Sequence, residues 1–109
     1  MDFPNNWVVL EIRINPNETI YKILAGWSGG YLDGDSWKVN SGIVSVYKDE
    51  DYYIFVGESG SEYKCHKDRY FLKMNNAGIY AKLKEKFGDA ISIMPEDTDW
   101  LNFKWKESK

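Results

Sequence analysis

The feature that most limits how this chain folds is a change of hydrophobic period between its long first part and its end. Val8, Leu10, Ile12 and Ile14 alternate with Val9, Glu11 and Arg13, the period-two pattern of a strand buried on one face. Asn15-Pro16-Asn17-Glu18 then supplies turn chemistry, with φ preset at the proline and asparagine side chains able to hold the bend. A second strand is predicted from Thr19 to Ala25, and the four glycines between Gly26 and Gly34 are expected to break it. Trp37 to Val39 and Ile43 to Tyr47 resume strand composition, with Asn40-Ser41-Gly42 as a kink between them. After the charged turn Lys48-Asp49-Glu50-Asp51, Tyr52 to Val56 and Glu62 to His66 form the clearest hairpin, joined through Ser59-Gly60-Ser61.

Beyond residue 74 the period becomes helical. Ile79, Tyr80, Leu83 and Phe87 share one face, while Lys82, Lys84, Glu85 and Lys86 occupy the other. Asn75 and Asn76 precede them as candidate N-caps, their side-chain oxygens suited to the orphan N–H groups of a first turn. Gly88 stands where a left-handed stop belongs. Ala90 to Met94 reads as a short strand ended by Pro95, and the alternation of Leu101, Phe103 and Trp105 predicts a closing strand. The expected fold is therefore α+β. It is an antiparallel β-sheet of about five to seven strands in a hairpin-rich meander, with a single α-helix near residues 76–87 packed on one face. At 109 residues, with no linker or low-complexity tract, residues 1–109 are expected to form one domain.

Two segments share the letters Gly-x-Ser-Gly: Gly26-Trp27-Ser28-Gly29 and Gly57-Glu58-Ser59-Gly60. Both read as glycine-bearing turns. With Gly30 the first also spells the Gly-x-Ser-x-Gly nucleophile elbow, but that chemistry needs a strand-to-helix turn exposing the serine beside a base and an oxyanion hole. No helical pattern follows Gly30, so a turn is the expectation. Cys65 and His66 are neighbours in a predicted strand and so point to opposite faces. They cannot serve one another as nucleophile and base. A buried thiol and a surface imidazole are expected. Asp33-Gly34-Asp35 opens like a calcium loop and then lacks the glycine and glutamate that such a loop requires. Neither a catalytic set nor a cofactor or metal site is predicted.

Aromatic residues make up 17% of the chain, more than one small core can hide. Trp27, Tyr31 and Trp37 surround the glycine-rich segment and are predicted to form an exposed anchor patch, with Asp33 and Asp35 as its polar rim. A formal charge of −3 argues against a general nucleic-acid binder. One cysteine suits a reducing compartment, and no apolar run approaches membrane-spanning length, so a cytoplasmic protein without a membrane role is expected. These features together predict a small acidic binder of the inhibitor, immunity or phage anti-defence type. Its expected target is a protein partner with a basic surface, of the sort that handles nucleic acid. Two alternatives remain open at this level. One is a small hydrolase-like enzyme using acidic residues or His66; the other is a single-stranded nucleic-acid-binding sheet built on the aromatic–lysine alternation. Surplus aromatic surface also suits a symmetric homodimer.

Overall fold

In the computed structural model, residues 1–30 and 34–105 are described. Among these, one α-helix and seven antiparallel strands form an α+β fold, as the periodicities predict, but the strands divide between two sheets where one was expected. Strands β1 (Asn6–Asn15), β2 (Glu18–Gly30), β3 (Gly34–Val39) and β7 (Ile91–Ile93) make a four-stranded sheet in the order β3-β2-β1-β7. Strands β4 (Ile43–Asp49), β5 (Tyr52–Gly57) and β6 (Glu62–His66) make a three-stranded sheet in that order. Helix α1 (Ala77–Phe87) lies between β6 and β7 in sequence.

The layers follow from which residues cluster. Trp7, Val9, Ile23 and Ala25 of the larger sheet meet Phe55, Tyr63 and Cys65 of the smaller one. On the opposite face, Val8, Leu10, Ile12 and Leu24 pack with Ile79, Tyr80, Leu83 and Phe87 of α1. The order is helix, four-stranded sheet, three-stranded sheet. β1 lies in the middle layer and buries both faces; Val8 and Val9 are adjacent in sequence and both inaccessible. The one-faced strand expected from the period is corrected accordingly, because a strand covered on two sides needs apolar residues at both parities.

Three further expectations change. The glycines do not break the second strand at Gly26, since β2 runs on to Gly30 with its register slipping between Trp27 and Gly30. Leu101 to Trp105 is not a strand. That segment turns and delivers Trp100 and Trp105 into the inter-sheet core, the two rings stacked 6.0 Å apart. Trp7 stands at the hub, its ring centroid 4.7 Å from Tyr70, 5.2 Å from Phe55 and 5.8 Å from Trp100. Each such pair adds about 0.5–1.5 kcal/mol beyond the area it buries, which favours ring contact over extension of a last strand. Third, Asn76 occupies the N-cap position of α1 but makes no side-chain capping bond. Its amide turns inward.

The N-terminal segment closes one edge of the smaller sheet. Asp2 bridges Tyr63 in parallel sense, its N–H bonded to the Glu62 carbonyl and its carbonyl to the Lys64 N–H, both at 2.8 Å. At the other end of the larger sheet, β3 pairs only with β2 among the described residues.

Candidate functional site

The β2–β3 ribbon carries the predicted patch. Pairing sets Gly26 opposite Trp37 and Trp27 opposite Ser36, so the two tryptophans face opposite sides of the sheet. Trp27 turns toward the inter-sheet core, is half-buried against it, and donates its indole N–H to the Phe3 carbonyl at 2.9 Å. Trp37 turns toward the helix side and remains 48% exposed. Asp35 is exposed, and its carboxylate accepts the Gly29 N–H at 3.2 Å across the ribbon. Tyr31 and Asp33, the other predicted members, lie outside the described residues. The structure thus brings Trp37 and Asp35 to one strand edge and ties Trp27 to the scaffold behind it.

Beneath this ribbon lies a buried amide cluster that sequence reasoning missed. Asn6 and Asn75 bond reciprocally: Asn75 Nδ2 donates to Asn6 Oδ1 at 2.7 Å and Asn6 Nδ2 to Asn75 Oδ1 at 3.1 Å. Asn6 Nδ2 also reaches the Phe71 carbonyl at 3.1 Å and Asn76 Oδ1 at 3.3 Å. Asn76 Oδ1 accepts the Lys73 N–H at 2.9 Å. These side chains replace the water that the end of β1 and the entry to α1 would otherwise need, so the burial cost of three amides is offset by satisfied bonds. The signal available in the sequence was Asn75-Asn76 beside a helix start, and capping is the commoner use of that pair.

The serine of the elbow letters is Ser28. It stands in a strand, its N–H donates to Asn5 Oδ1 at 2.8 Å, and its hydroxyl accepts from Asn75 Nδ2 at 3.1 Å. No base is among those partners. The other candidates resolve as parity requires. Cys65 is fully buried, and burial pushes its thiol well above the usual range, which leaves it a small hydrophobe. His66 sits on the outer face of the smaller sheet, its ring edge-on to Tyr52 with centroids 5.0 Å apart. Among the described residues no three His, Cys, Asp or Glu side chains gather where a metal ion fits. The Tyr70 hydroxyl, raised by burial, is structural: it donates to the Met94 carbonyl at 2.6 Å and accepts the Val9 N–H at 3.1 Å.

A cleft of about 480 Å³ opens at the far end of β2, lined by Glu18, Tyr21, Ser41, Glu58 and Trp105. Its lining includes none of Trp27, Asp35 and Trp37. No described helix is long and apolar enough to cross a membrane. Comparison of the chain with protein families, with curated proteins and with solved structures finds no match, so the functional reading stands on this geometry and charge alone.

Proposed function

We propose that this protein is a non-catalytic protein-binding module of the inhibitor or immunity type, docking through the β3 edge on a larger partner. The observation that carries the reading is Trp37, half exposed at the centre of an edge strand that has one neighbour among the described residues. An edge strand offers unpaired N–H and C=O groups, and a partner strand can complete them. A large aromatic side chain at the middle of such an edge is the type of group that dominates interface energetics. Trp27, held by the Phe3 carbonyl, stiffens the ribbon from behind, and Asp35 supplies polar rim. Tyr31 and Asp33, outside the described residues, belong to the proposed patch by sequence alone.

The charge of −3 favours a partner with a basic surface, such as a nuclease or another nucleic-acid-handling protein, through faster encounter. The buried single thiol suits residence in the cytoplasm, where an anti-defence or immunity function would act. Affinity capture with tagged protein, followed by identification of what is retained, tests the reading. Trp37→Ala should lose the specific partner by tenfold or more in affinity, about 1.4 kcal/mol, while thermal unfolding stays unchanged. Retention of every partner at full affinity by folded Trp37→Ala would remove the β3 edge from the proposal.

A further inference from the structure

A second cleft, of about 340 Å³, lies between the N-terminal segment and the outer end of β6, and its lining has a sign opposite to the protein's own. Lys64, His66 and Arg69 line it together with Asn5, Tyr52 and Phe3; among the described residues no carboxylate does. In a chain with 17 acidic residues against 14 lysines and arginines, Lys64 and Arg69 beside the one histidine on a small concavity are a local reversal.

The donors there are already oriented. Arg69 gives its Nε–H to the Asn5 carbonyl at 2.8 Å, and its guanidinium lies 4.8 Å from the centre of the Phe71 ring. That bond and that ring fix the plane of the fork, and its terminal NH₂ groups have no acceptor among the described residues. His66 Nδ1 accepts the Asp68 N–H at 3.1 Å, which leaves Nε2 to carry the ring's donating N–H. Lys64 lies over the Tyr52 ring at 5.0 Å and is anchored from outside the cleft by Asp49, 3.0 Å away. A fork, an imidazole N–H and an ammonium therefore border one volume whose remaining walls are Pro4, Asn5 and two aromatic rings: Tyr52, edge-on to His66, and Phe3, which is 59% exposed.

We infer that this cleft binds the phosphate of a small phosphorylated molecule carrying a planar ring, of the nucleoside monophosphate kind, with Arg69, His66 and Lys64 holding the phosphate and Tyr52 and Phe3 flanking the ring. Arginine's fork matches two phosphate oxygens at once, an aromatic wall stacks a planar base, and the volume falls at the lower end of the range for small-ligand sites. This site is separate from the β3 edge and does not depend on the protein-binding reading.

His66 is the only histidine, so its ring signal in a two-dimensional NMR spectrum is a single reporter beside the cleft. Adenosine monophosphate, inorganic phosphate and adenosine are each titrated into the full chain at low salt. The expected result is a saturable His66 shift with the monophosphate, a weaker response to inorganic phosphate, and none to the nucleoside. Arg69→Gln should weaken the monophosphate by about tenfold to a hundredfold, as loss of charged hydrogen bonds does. Because Arg69 also holds Asn5, Lys64→Gln is run beside it, with a thermal melt of each; that variant keeps the Arg69–Asn5 bond and should weaken binding severalfold. An absent or non-saturating shift overturns the site. Equal affinity for inorganic phosphate overturns the ring recognition, and unchanged affinity in both folded variants overturns the assignment of the phosphate-holding residues.

Discussion

The two Gly-x-Ser-Gly segments carry the same letters and do different work. Gly26 to Gly29 lies inside β2, which slips register between Trp27 and Gly30 with Gly29 at a φ of +76°, on the way to the Trp37 edge. Gly57 to Gly60 ends β5 and forms the turn into β6, with Gly60 N–H bonded to the Gly57 carbonyl at 2.9 Å. Both segments pair a crowded first glycine, Gly26 or Gly57, with a last glycine at positive φ, +76° at Gly29 and +89° at Gly60, and the crowding is severest at Gly26. At Gly26 a Cβ would stand 2.2 Å from Asn75 Oδ1 and 2.5 Å from its Cγ, so the requirement is room for a buried amide. At Gly60 nothing lies within 4 Å of that Cβ, and the requirement is a φ of +89°. One position is set by packing against a distant residue and the other by local backbone conformation. The two glycines of one motif therefore tolerate change for different reasons.

Gly26→Ala should be the most damaging change. The added methyl expels the Asn75 amide, and Asn6 then loses its reciprocal partner in a site that excludes water. An orphaned buried amide costs about 1–3 kcal/mol, and forced repacking adds a similar amount. We expect a loss of about 2–4 kcal/mol in chemical denaturation. Asn75→Ala made in the same chain removes the group that is struck. Against an Asn75→Ala background, Gly26→Ala should cost under about 1 kcal/mol, a coupling that only contact between the two residues produces. Additive losses would show that Gly26 serves its strand and not the amide.

Asn6→Ala addresses the same cluster from β1. It strips partners from Asn75 and from the Phe71 carbonyl while leaving the strand pairing intact. A loss of about 2 kcal/mol is expected from the orphaned groups. A change below about 0.5 kcal/mol would mean that water reaches the site and replaces the amide. Gly60→Ala comes next, at about 1 kcal/mol, because the left-handed region strains any residue with a Cβ but no neighbour is struck. Gly60→Asn should recover part of that loss, since asparagine tolerates positive φ. Equality of Gly26→Ala and Gly60→Ala in denaturant midpoint would erase the distinction between a glycine set by packing and one set by its φ.

How much of the molecule is readable from residue order depends on the range of the interaction responsible. The helix, the β5–β6 hairpin and the opposite facing of Cys65 and His66 follow from local periodicity, and the structure holds them as expected. Gly60 belongs to this class, because a turn glycine answers to its own φ. The role of Gly26 does not: its partner is 49 residues away, and nothing in Gly26-Trp27-Ser28-Gly29 marks an amide arriving from another loop. The same holds for β1, whose second buried face exists because α1 and the smaller sheet both cover it. It holds also for the C-terminal segment, where Leu101, Phe103 and Trp105 alternate like a strand yet Trp100 and Trp105 fold into a ring cluster with β1 and β5. Of the proposed docking patch, Trp37 and Asp35 stand exposed on an edge strand, as large and charged side chains beside a glycine-rich segment suggest. Trp27 was not separable from them by composition, because pairing register, invisible in the sequence, turns it to the inner face.

The serines carry the smallest expected difference. Ser28 Oγ accepts one hydrogen bond from Asn75 Nδ2, whose main partner is Asn6 at 2.7 Å, so Ser28→Ala removes a secondary acceptor. Ser59 Oγ sits in an exposed hydroxyl chain, 3.2 Å from Ser41 Oγ and 3.3 Å from Ser61 Oγ, where water replaces it freely. We expect Ser28→Ala to cost about 0.5–1 kcal/mol and Ser59→Ala less than about 0.3 kcal/mol, following the rule that a hydrogen bond's worth depends on what replaces it. The order matters more than the size. A larger effect at Ser59 would place the stability of this region in the turn, and the amide cluster would then be a consequence of the ribbon's position. A larger effect at Ser28 makes the cluster what holds β2 against the entry of α1.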